Sequence, residues 1–70
     1  MQSHPIIEWT VSRGDAEVVC TRCDTDHGVE LSVTFSGLRT AQFVAKTVDE
    51  ARSRGEQIRQ SWEAVGYAAA

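Results

Sequence analysis

The apolar residues of this chain change their spacing once, near residue 46, and that change limits the possible folds more than any other feature. Val29, Leu31, Val33 and Phe35 alternate with Glu30, Ser32 and Thr34, the period-two pattern of a half-buried strand. Val48, Ala51, Gly55, Ile58, Trp62 and Val65 instead recur every three or four residues, which is one face of a helix. A strand-forming first part and a single amphipathic helix at the end predict an α+β domain. The sheet should be antiparallel, because short turns join consecutive strands and no crossover helix intervenes.

The first strand is expected over 6–12, where Ile7, Trp9 and Val11 alternate with Glu8, Thr10 and Ser12. Further strands are expected over 17–23, 29–35 and 40–45, separated by turns at Arg13-Gly14-Asp15-Ala16, Asp24–Gly28 and Ser36–Arg39. The helix is expected over 48–65, with Thr47 and Glu50 spaced as a capping box and Gly66 placed to stop it. The result is a three- or four-stranded β-meander with one C-terminal helix packed on one face, ββββα, in a single domain over 1–70. Residues 1–5 and 68–70 read as loose ends.

One helix covers one face of such a sheet. The predicted core is Ile7, Trp9, Val11, Val18, Cys20, Leu31, Val33, Phe35, Phe43, Ile58, Trp62 and Val65, with Tyr67 left outside it. The opposite face is then expected to carry Ile6, Thr10, Val19, Thr21, Ser32, Thr34 and Val44, an uncharged and moderately apolar surface. Thr10, Val19, Thr21, Arg22, Thr34 and Val44 are the candidate partner-binding residues.

Composition narrows the functional classes. Seventy residues hold one small core, and 41% hydrophobic content excludes a disordered tail. Ten acids against seven bases, net −3, weigh against sequence-blind binding to phosphate backbones. No apolar run approaches a membrane span and no leader pattern opens the chain, so a cytoplasmic protein without membrane contact is expected.

Chemistry-bearing residues are sparse. Cys20-Thr21-Arg22-Cys23 with His27, and His4 further off, could supply zinc ligands. Within a strand, however, Cys20 and Cys23 point to opposite faces, and no metal or other cofactor is expected. Asp26 beside His27 could orient a nucleophile, and Asp24, Asp26 and Glu30 could attract a hard cation, but neither group has the spacing of a known site. No Walker, dinucleotide-binding or H-E-x-x-H motif occurs. Arg13, Arg22 and Arg39 could line a nucleic-acid surface.

The order of strands followed by one helix resembles the sheet-and-helix domains of small HicB-type antitoxins, at Phe35-Ser36-Gly37-Leu38 and Thr47-Val48-Asp49-Glu50-Ala51. It also resembles the strand–helix half of double-stranded-RNA-binding domains, where Asp49 and Glu50 replace the basic helix N-terminus. Neither resemblance implies a functional residue here. The expected function is therefore a non-catalytic protein-binding module, of the kind a phage or mobile element uses to bind and modulate a larger protein. The alternative is a small nucleic-acid-binding or antitoxin-like regulator acting through the exposed sheet face. A homodimer is compatible with both.

Overall fold

The computed structural model describes residues 4–69. Four consecutive strands, β1 (Ile6–Arg13), β2 (Ala16–Thr25), β3 (Gly28–Phe35) and β4 (Leu38–Ala45), are followed by the helix α1 (Val48–Ala64) and a two-residue strand β5 (Ala68–Ala69). They form one antiparallel sheet in the order β4-β3-β2-β1-β5, with α1 on one side.

Each hairpin turns in two residues. At Ser36-Gly37 both φ angles are positive, 47° and 87°, the mirror-image turn whose twist matches that of paired strands. The core lies between sheet and helix. Val11, Val18, Cys20, Leu31 and Val33 are buried from the sheet side, with Trp9, Phe35, Phe43, Ile58 and Trp62 packed around them. Ala51 and Gly55 let the helix approach closely, and the Trp9 indole N–H donates to the Gly55 carbonyl at 3.1 Å.

Local signals in the sequence set both helix ends. Thr47 is extended, and its hydroxyl accepts from the Glu50 N–H at 3.1 Å. The Glu50 carboxylate reaches back to the N–H of Lys46, one residue before the cap. At the other end Tyr67 N–H meets the Trp62 carbonyl and Gly66 N–H that of Glu63, with Gly66 at φ 101°. That bond pair is the Schellman arrangement, which glycine favours. Arg13 adds a guanidinium bond to the Val65 carbonyl at 2.9 Å.

Four expectations are corrected. Ala68–Ala69 form β5 against Val11 and Ser12 rather than a loose end; Ala70 and residues 1–3 lie outside the described residues. Tyr67 joins the core edge-on to Trp62, ring centroids 5.0 Å apart. Val65 is the helix C-cap and 55% exposed. Finally, a β-bulge between Ile7 and Trp9 reverses the start of β1. A bulge adds one residue to one strand, so every residue before it changes face. Ile7 therefore pairs with Thr21 on the open side and is 65% exposed, whereas Ile6 shares the register of Arg22.

Candidate functional site

The face that α1 leaves uncovered is built by the strand registers. Thr10, Val19, Thr34 and Arg39 form one row across four strands, and Ile7, Thr21, Ser32 and Gln42 form the next. Cys23, Glu30 and Val44 form a third, while Ser12 and Glu17 close the opposite end. The centre of this face carries no charge. Its charges sit at the margin on Glu17, Glu30 and Arg39, of which the sequence reading had offered Arg39 alone.

Hydrogen bonds hold the surface in place. The Thr34 hydroxyl donates to the Val19 carbonyl at 3.4 Å, and the Thr40 hydroxyl to that of Val33 at 3.2 Å. Along β4 the Arg39 guanidinium donates to Gln42 at 3.2 Å, and the Gln42 amide donates to the Glu30 carboxylate at 3.0 Å. This chain of partners leaves the β3–β4 half of the face more polar than the β1–β2 half.

Five of the six candidate residues lie on this face: Thr10, Val19 and Thr34 in one row, Thr21 in the next, and Val44 at the β4 side. Arg22 does not join them. It follows Cys20 by two residues, so its side chain projects to the helix side, where Nε lies 3.0 Å from Glu8 and Nη1 lies 3.3 Å from Asp24. Glu8 is brought there by the bulge and also meets Arg52 of α1 at 3.5 Å. The hydrogen bond that Arg22 donates to Glu8, reinforced by both carboxylate charges, raises the Arg22 pKa further above its ordinary value. Sequence reasoning missed Ile7 and Gln42 as members of the face, and offered Arg39 for the nucleic-acid alternative alone. Ile7 was hidden by the bulge; Gln42 follows from alternation with Phe43 inward, whereas Arg39 needed the β3–β4 register and its shift at Thr40.

The remaining candidates are dispersed. Cys20 is fully buried beneath the helix, and burial, with the nearby Glu8 charge, pushes its thiol up to about 12. Cys23 stands in the open-face register opposite Glu30. His27 occupies the β2–β3 turn, its backbone N–H donating to the Thr25 hydroxyl at 3.2 Å. Among the described residues no three His, Cys, Asp or Glu side chains gather closely enough to hold a metal ion. A cleft of about 290 Å³ opens on the helix side between Glu8, Trp9, Arg52 and Arg59. Its charges are already paired, Arg52 with Glu8 and Arg59 with Glu56 and Glu63. None of the described helices is long and apolar enough to cross a membrane.

No family model, curated protein or solved structure matches the chain.

Proposed function

We propose that this chain is a non-catalytic binding module that docks on a larger protein through the open face of its sheet and modulates it. Thr10, Val19, Thr21 and Thr34 form the contact centre, with Ile7 and Val44 at its rim. One observation carries the reading: the helix covers one face of the sheet, and the other presents uncharged rows bordered by charge. An uncharged centre within a polar border is the composition of a protein-interface core and rim.

The nucleic-acid alternative has less to draw on. Arg13 is engaged at the helix C-terminus and Arg22 with Glu8 on the far face, so Arg39 is the one member of that trio on the open side. A surface with one arginine and two glutamates neutralises few phosphates.

The test is a tagged pull-down from host lysate, with and without nuclease, repeated with Val19→Asp and Thr21→Asp. The expected result is a stoichiometric protein partner that survives nuclease and is lost with both variants, while circular dichroism shows each variant folded. Capture unchanged by both variants would reject this face, and capture that vanishes with nuclease would move the function to nucleic acid. Val19→Thr, which keeps the β-branch and adds no charge, should retain capture.

A further inference from the structure

The two edges of the sheet are treated differently. β1 begins after Pro5, bends at the bulge that carries Glu8, and has its second half covered by β5 at Val11 and Ser12. Proline, a bulge, an inward-pointing charge and a covering strand are the devices that prevent a strand edge from pairing. β4 has one irregularity, where its register to β3 shifts at Thr40. Beyond that point Ala41-Gln42-Phe43-Val44-Ala45 is a regular, uncharged run of five residues, and no strand among the described residues pairs with its outer edge. Leu38, 74% exposed, and Val44, 61% exposed, add apolar surface along it.

We infer that this edge pairs with β4 of a second copy of the chain, giving a continuous ten-stranded antiparallel sheet about a two-fold axis. This goes beyond the partner-binding reading, since it uses the edge and not the face. Two-fold symmetry between antiparallel strands sets the axis perpendicular to the sheet, so each residue meets one on its own face. The regular run has Phe43 at its centre. Pairing about that residue sets Gln42 of each copy opposite Val44 of the other, and Ala41 opposite Ala45.

Charge agrees with that register. Arg39 falls opposite Thr47 and Lys46 opposite Thr40, so no like charges face each other across the seam. On the helix side Glu50 and Arg54 line the small cavity beside Phe43, and the Arg54 guanidinium lies 5.3 Å from the centre of that ring. Each copy thus brings one acid and one base to the same margin. With Arg39 and Lys46 counted, each copy brings three bases and one acid to the seam, so the net negative charge of the two chains lies away from it. The dimer would place both helices on one side and join the two open faces into one surface on the other.

Sedimentation equilibrium of the purified protein, up to millimolar concentration, tests this with no partner present. The expected result is a concentration-dependent dimer. Gln42→Lys combined with Val44→Lys puts like charges opposite each other twice and should weaken the dimer about tenfold. Gln42→Glu combined with Val44→Lys puts opposite charges there and should restore or tighten it. Thermal melting of each variant at dilution establishes that the protomer is folded. A monomer at every concentration overturns the inference, as does a dimer indifferent to both double variants. Neither result bears on capture of a partner by Val19 and Thr21.

Discussion

Two glycines illustrate what one missing methyl group does in each direction. A Cβ on Gly55 would lie 3.5 Å from Leu31 and from the Trp9 indole nitrogen and 3.7 Å from the Cys20 sulfur, ordinary contact distances with room for a methyl group. Alanine there should relieve the helix of glycine's conformational cost, so Gly55→Ala is expected to raise stability by about 0.5–1 kcal/mol in urea denaturation. Gly28 is the opposite case. Its φ is 137°, and a Cβ would stand 2.5 Å from the Ala45 carbonyl oxygen, so Gly28→Ala should cost about 2 kcal/mol. Equal effects at the two sites would contradict this packing. Sequence spacing already placed Gly55 on the buried stripe beside Ala51. The crowding at Gly28 was not legible, because the oxygen it meets belongs to a strand seventeen residues later (45 − 28) whose register no local pattern specifies.

Among the elements, α1 was the most legible, and of the four long strands β1 the least in the facing of its residues. The Thr47 cap follows from residue type and spacing alone, and its hydroxyl bond at 3.1 Å gives it a measurable weight. Thr47→Ala should lower stability by about 1 kcal/mol, while Thr47→Ser should lose much less; matching losses would argue that the β-branch and not the hydroxyl matters. In β1, consecutive isoleucines at 6 and 7 permit either face, and the bulge chooses Ile7 for the open side. Arg22 shows a different failure. Strand alternation from Val18 and Cys20 already sends it toward the helix, and its place among the open-face candidates went against that alternation. The bulge makes the covered position tenable by bringing the Glu8 carboxylate to 3.0 Å. A charge can occupy the covered face of a sheet when another element delivers its partner, and that delivery is a tertiary event.

Across the whole molecule, the ββββα order followed from periodicity, and the fifth strand did not. Two alanines have no pattern, and β5 exists because Gly66 and Tyr67 turn the chain back onto β1. Stability as a function of pH is also a property of the whole. The Cys20 thiol is raised from 9.0 to about 12 on folding, so between those values the unfolded chain releases a proton that the folded chain retains. Stability should therefore be complete below pH 9 and decline as pH rises toward 12. In Cys20→Ala this part of the slope should disappear, as chemical denaturation at stepped pH would show; an unchanged slope would mean that Cys20 is not the group responsible. The two-residue hairpins have a kinetic consequence as well. Each strand from β2 to β4 pairs with the one just synthesised, at small entropic cost. The long closures bring α1 and β5 back to β1, Gly55 to Trp9 across 46 residues and Ala69 to Val11 across 58 (69 − 11). Both tryptophans, Trp9 and Trp62, stand where the helix meets the sheet, so indole fluorescence during refolding would time the arrival of the helix, one of the distant closures the chain has to make.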